Sequence, residues 1–178
     1  MNEPTALPHD HSETGKCRSR LARFCKGTGL DVGFGGSAIV PTSINFDMPV
    51  PYTSVGKDPQ HVGGDCFKLD AVFKPGSLDY IYSSHLVEDF IWDDVATLIA
   101  HWRDMIKRGG MIIIYCPDEQ VYRKHCEETG QPYNEAHKNA DFSLAAFKER
   151  IVSLDRWDII HEGNYPDEYS WEIVLGRP

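Results

Sequence analysis

The chain has 178 residues, enough for one domain with a single core, and carries a formal net charge of −9 with an isoelectric point near 5.3. That acidity argues against a phosphate-tracking surface for DNA or RNA, and no apolar run reaches the roughly 20 residues of a membrane span. Five cysteines, at positions 17, 25, 66, 116 and 126, form no C-x-x-C pair and no zinc spacing, so they read as reduced, mostly buried thiols of a cytoplasmic protein without a signal peptide.

Residues 1–15 carry Pro4, Pro8, His9 and His11 and few large apolar groups, which predicts a mobile tail ahead of a domain spanning 16–178. His9 and His11 have no third ligand near them in sequence, and no metal site is assigned. From Lys16, apolar Cys17, Leu21, Phe24 and Cys25 recur at helical spacing, and Gly27 suits the cap. Arg18, Arg20 and Arg23 on the other face read as solvated.

Leu30 and Val32 predict a buried strand running into Gly33-Phe34-Gly35-Gly36, where missing side chains let backbone approach a ligand. One or two helical turns are expected around residues 37–40, because Pro41 and the short gap leave no room for more. Ile44-Asn45-Phe46 forms a second strand ending on Asp47, whose carboxylate can accept from ribose hydroxyls. Together these predict a ligand carrying a nucleoside. Asp47 follows Gly33 at a shorter interval than the about 20 residues of the dinucleotide fingerprint, which counts against NAD.

Pro49, Pro51, Gly56, Pro59 and Gly63 disfavour a long helix before a short third strand within 61–65. Residues 78–83, after the Pro75-Gly76 turn, read as a central strand, and Ser83, Ser84 and His85 fall where a doubly wound sheet opens its ligand crevice. Ile91, Val95, Leu98, Ile99, Trp102 and Ile106 mark one stripe of a helix stopped by Gly109-Gly110, and 111–115 follows as a strand buried on both faces. A helix over 118–128 closes at Gly130, and residues 131–139 are polar, aromatic and unlike core. Ser143 caps a helix bearing Leu144, Phe147 and Ile151, and residues 157–161 and 169–175 form two antiparallel strands around the loop 163–167.

Several of these stretches resemble those of one family. Leu30-Asp31-Val32-Gly33-Phe34-Gly35-Gly36 resembles the first motif of class I S-adenosylmethionine-dependent methyltransferases, and Gly64-Asp65-Cys66 is similar to the end of their third strand. Residues 77–89 are similar to the fourth strand and its S-x-H-x-L-E-H signature, with Asp89 in place of the second histidine. Lys107-Arg108-Gly109-Gly110 is similar to the L-K-P-G-G turn into the fifth strand, and the resemblance extends from about Lys16 onward. It implies an α/β, Rossmann-like doubly wound fold: a mostly parallel seven-stranded sheet with an antiparallel last strand, in a three-layer sandwich.

The resemblance also implies S-adenosylmethionine as cofactor, held by Asp31, Gly33, Phe34, Gly35, Asp47, Met48, Asp65, Cys66, Ser84 and His85, with Asp65 accepting from the adenine amino group. A basic residue of the first helix could meet the methionine carboxylate. The implied reaction is in-line transfer of a methyl group to a small-molecule or saccharide acceptor, and loops after the fifth strand, here 131–139, lie on the acceptor side. A hydroxyl or amine acceptor must lose a proton. His85 is the expected base, because an imidazole titrates in the needed range, and His137 is the second candidate. A hinge role for His85, with its backbone touching the cofactor, stays equally open. Phe34, Tyr115 and Tyr133 are candidates to surround the sulfonium or the acceptor. Two rival readings also stay open, a catalytically silent protein that keeps the pocket and an NAD-dependent oxidoreductase, and a homodimer stays open for the chain.

Overall fold

Ser12 sets the start of the fold: its Oγ accepts the Gly15 N–H at 3.0 Å and caps α1 (Glu13–Leu21). The structure, a computed structural model, describes residues 12–51 and 56–178, so His9 and His11 lie outside the described residues. Within them, residues 12–15 belong to the helix and its cap and not to a tail, because Ser12 and Thr14 are buried against the sheet.

The strands β1 (Gly29–Val32), β2 (Ile44–Asp47), β3 (Val62–Gly63), β4 (Leu78–Ser84), β5 (Ile106–Pro117), β6 (Asp158–Tyr165) and β7 (Ser170–Gly176) form one sheet in the order β3-β2-β1-β4-β5-β7-β6. The pairings among β1 to β5 are parallel, while β7 runs antiparallel to both β5 and β6. The last strand therefore fills a slot between two others, as expected for this fold. The order reverses at β1 and β4, which makes their carboxyl ends a topological switch point.

Alternation along the strands sorts their side chains between two layers. Leu30, Val32, Ile81, Ile112, Ile114 and Ile173 face α2 (Trp92–Met105) and α4 (Leu144–Arg150), and Trp102, Phe147 and Trp171 fill this larger core. Tyr80, Tyr82, Ile113, Tyr115 and Val174 face α1, whose Cys17 and Leu21 are fully buried. Each tyrosine buries its ring and satisfies its hydroxyl at the layer's edge, on Ser43, Thr14 and Glu168 respectively. α3 (Glu119–Thr129) follows β5, capped by Asp118 at its start and by left-handed Gly130 at its end.

Two element boundaries differ from the sequence expectation. α2 ends at Met105, ahead of Gly109-Gly110, because its last carbonyls are taken elsewhere: Gly76 N–H donates to Asp104 O, Ser77 N–H to Met105 O, and Arg177 Nη1 to Arg103 O. β6 runs on to Tyr165 through residues expected in the loop, since its pairing with β7 continues to Tyr165↔Ser170.

Arg18 and Arg20 are not solvated as their helical face suggested. Glu172 lies fully buried on β7, and Arg20 Nε donates to its Oε2 at 2.9 Å while Tyr165 OH and His161 Nε2 lie 2.8 and 2.6 Å from its Oε1. Arg20 also grips Glu168 through both terminal nitrogens, at 3.0 and 2.7 Å. Removing the guanidinium leaves a buried carboxylate short of its countercharge. Arg20→Leu is expected to lower the unfolding free energy by about 3 kcal/mol in urea titrations; a loss under about 1 kcal/mol, typical of an exposed pair, would show that water reaches Glu172.

Candidate functional site

The segment leaving β1 turns at once. Gly33, Gly35 and Gly36 all have positive φ, and a Cβ on Gly33 would meet Leu86 Cδ2 at 3.0 Å, so at Gly33 the turn passes close under the chain following β4. The helical turns expected around 37–40 do not form. Their backbone is claimed by side chains instead: Asp31 Oδ2 accepts the Ile39 N–H at 2.6 Å, and Arg18 Nη2 donates to Ser37 Oγ at 2.8 Å and to Ala38 O at 3.0 Å. Burial pushes the fully enclosed Asp31 carboxyl up to about 8, against the pull of the Ile39 N–H and Arg18.

Beside the turn, at the carboxyl ends of β1, β2 and β3, opens a cavity of about 500 Å³. Val32, Phe46, Phe67, Leu86 and Phe90 supply apolar walls, and Gly33, Gly64, Met48, Pro49 and Cys66 add to them. Three carboxylates, Asp47, Asp65 and Asp89, share the lining with no lysine or arginine among the described residues, though Lys68 Nζ pairs with Asp65 Oδ2 at 3.4 Å from outside it. Asp47 is held from two sides: Met48 N–H donates to Oδ1 at 2.7 Å and Gly35 N–H to Oδ2 at 3.3 Å. Asp65 Oδ1 accepts the Phe67 N–H at 2.9 Å, which folds the chain after β3 around the cavity.

The two histidines lie together but apart from that lining. His85 closes β4 in the left-handed region, with φ of 50°, unusual for a residue with a side chain. Its Nε2 lies 3.3 Å from Glu13 Oε2 and 3.5 Å from Ser170 Oγ, and its Nδ1 3.6 Å from Glu88 Oε1. Burial pushes its imidazole down to about 4, with Glu13 opposing. His137 Nδ1 lies 2.7 Å from Glu119 Oε2, and its Nε2 is 3.9 Å from the same Glu88 oxygen that faces His85. Burial, with Asp89 adding to it, pushes Glu88 up to about 8. Burial works to raise Glu119 too, yet His137, Tyr133 and Arg123 all bond to it and hold it below the usual carboxylate range. The segment 131–139 reaches this cluster through Lys138 N–H, which donates to Glu88 O, and Asn139 Nδ2, which donates to Phe90 O at 2.7 Å.

No protein-family model and no curated protein matches the chain. Solved structures do. A Haloferax volcanii protein assigned as a methyltransferase, in complex with the Trm112 methyltransferase activator, aligns with a TM-score of 0.65 at 15% identity over 95% of this chain and 90% of its own. A SAM-dependent methyltransferase from Archaeoglobus fulgidus aligns at 0.64 and 13% identity, covering 94% and 96%. The N-methyltransferase NodS from Bradyrhizobium japonicum, solved with S-adenosyl-L-homocysteine, aligns at 0.62 and 14% identity, covering 95% and 90%. The chain has the fold of the class I S-adenosylmethionine-dependent methyltransferases.

Placed on this methyltransferase fold, the expected site residues divide. Gly33, Asp47, Met48, Asp65 and Cys66 gather around the cavity, and Gly35 joins them through its N–H on Asp47. Asp31, Phe34, Ser84 and His85 do not line it: Asp31 supports the turn from beneath, Phe34 is buried, and Ser84 sits at the end of β4 with its buried Oγ unpartnered among the described residues. His85 does not titrate in the physiological range as expected, because it is buried beside α1. His137, in a segment that reads as an exposed loop, is buried between two glutamates. Sequence reasoning missed Phe46, Phe67, Leu86 and Phe90 as walls, and the only signal for them was their adjacency to quoted motifs.

The titrations have a definite sign. Asp31, ordinarily near 3.8 and here near 8, keeps a proton in the folded state that the unfolded chain releases, so its contribution is whole below about pH 4 and is lost as pH rises through 8. Glu88 acts in the same direction. His85 acts on the acid side, where the unfolded imidazole takes up a proton between pH 6.5 and 4 that the folded one refuses. The thermal midpoint of the wild type should therefore fall from about pH 6 to pH 9. Asp31→Asn keeps an acceptor for the Ile39 N–H and is expected to flatten that slope; an equal slope in the variant would mean that Asp31 is ionised in the fold.

Proposed function

We propose that the chain is an S-adenosylmethionine-dependent methyltransferase acting on a small-molecule or saccharide acceptor, with the cavity beside the glycine turn as its cofactor site. The observation that carries this reading is Asp47, whose carboxylate stands at the cavity rim with each oxygen fixed by one backbone N–H. A carboxylate oxygen has two lone pairs, so both retain one for a ribose hydroxyl. The cavity fits a nucleoside in volume and character: about 500 Å³, apolar walls for a flat base, and Asp65 where an exocyclic amino group would donate.

The same features weigh against a dinucleotide. A pyrophosphate asks for a helix N-terminus at the glycine turn, and residues 33–43 contain no helix. Three lining carboxylates would repel its charge, whereas a cofactor whose reactive end is cationic meets no such penalty.

Bound S-adenosylmethionine supplies a methyl group already activated on a sulfonium sulfur, so orientation is the main demand on the protein. In this reading Asp47 and Asp65 hold the ribose and base, Met48 and Phe90 cover them, and Ser84 and Asp31 lie toward the other end of the turn. The acceptor approaches over His85, Glu88 and His137, with 131–139 as the neighbouring wall. Burial keeps His85 neutral at physiological pH, so its imidazole accepts a proton and does not donate one. The low value makes it a weak base, suited to an acceptor whose own proton is labile.

Ligand binding tests the reading without knowledge of the acceptor. S-adenosylhomocysteine at about 100 times its dissociation constant should raise stability by about 2.7 kcal/mol and NAD should not. Asp47→Ala is expected to weaken S-adenosylhomocysteine binding by about 1–3 kcal/mol in titration calorimetry. Stabilisation by NAD alone would reverse the assignment.

A further inference from the structure

In a doubly wound sheet the glycine turn leads into a helix, which holds the turn in shape from the far side. That helix does not form here, and the chain between β2 and β3 takes its place against the turn. Gly56 N–H donates to Gly35 O at 3.3 Å, Asp58 N–H donates to Gly36 O at 2.9 Å, and Asp58 Oδ2 accepts the Ala38 N–H at 2.9 Å. The approach is backbone on backbone: a Cβ on Gly56 would stand 1.7 Å from Gly36 O. No other residue type fits there without moving one of the two segments.

Gly35 sits between this contact and the cavity. Its carbonyl is fixed by Gly56, and its N–H donates to Asp47 Oδ2 at 3.3 Å. The two peptide groups that meet at the Gly35 Cα thus join the segment 56–58 to the acid at the cavity rim. A turn with three glycines at positive φ has wide conformational freedom, so its shape depends on such outside restraint.

We infer that Gly56 and Asp58 are positioning residues of the cofactor site, setting the Asp47 carboxylate through Gly35, whose two flanking peptides carry the two contacts. The inference rests on the cofactor reading above. Asp58 is exposed and is not among the residues that line the cavity, so it contributes to binding by pre-organising the turn.

Titration calorimetry with S-adenosylhomocysteine, beside thermal midpoints without ligand, decides the matter on four proteins: wild type, Asp58→Ala, Asp58→Asn and Gly56→Ala. Asp58→Ala should raise the dissociation constant about tenfold, the effect of one lost hydrogen-bonding restraint, with the unliganded midpoint nearly unmoved. Asp58→Asn keeps an oxygen for the Ala38 N–H and should restore binding to within about twofold of the wild type. Gly56→Ala should weaken binding at least as much as Asp58→Ala. Wild-type affinity in both alanine variants overturns the inference, as does failure of Asp58→Asn to restore it. No binding by the wild type sinks the cofactor reading itself, and this inference with it.

Discussion

Residues 33–43 must carry the chain from the end of β1 to the start of β2, and with Pro41 among them they cannot form a crossover helix. Much else in the molecule answers that constraint. Backbone groups that a helix would pair within itself must find partners elsewhere, and buried ones cannot go without. Asp31 reaches up from β1 to Ile39, Arg18 reaches across from α1 to Ser37 and Ala38, and Gly56 and Asp58 close over Gly35 and Gly36. The turn is thereby held by three separate parts of the chain, each doing for one stretch what a helix does for itself.

The layer on the α1 side shows the same economy. With few helices to cover it, the sheet presents Tyr80, Tyr82 and Tyr115, whose rings serve as core and whose hydroxyls find partners at the margin. Glu172 and Arg20 bind α1 to β7, so the helix is anchored to the sheet through its last turn. Its first turn is held by its own contacts, Glu13 beside His85 and Lys16 on Tyr169, the two non-glycine residues that hold positive φ among those described. Strain of that kind concentrates where a surface must present particular groups.

The sheet was legible in the sequence because strand signals are local: Leu30 and Val32, Ile44 to Phe46, and residues 111–115 each declare burial without reference to anything distant. Gly33 and Asp47 were legible for a related reason, since a glycine turn and a strand-terminal acid are short patterns. Residues 37–40 were misread because their conformation is decided by Asp31, Arg18 and Asp58, which come from three other segments. His85 and His137 could be selected as residue types, but their surroundings are set by Glu13, Glu88 and Glu119, and no spacing rule brings those carboxylates together. Phe67 and Phe90 form a perpendicular ring pair with centroids 5.0 Å apart at the cavity, a contact between segments separated by β4.

The placement of β7 bears on how the molecule is made. Residues 170–176 slide between β5 and β6, so while they are still inside the ribosome β5 offers an open edge bearing Ile112 and Ile114. An uncovered hydrophobic strand edge is a template for pairing with any other chain. Synthesis at about 5–20 residues per second leaves that edge exposed for seconds. The nascent chain is thus most vulnerable between the emergence of β5 and that of β7, and chaperone dependence in cells should follow the arrival of β7 more closely than the stability of the finished fold.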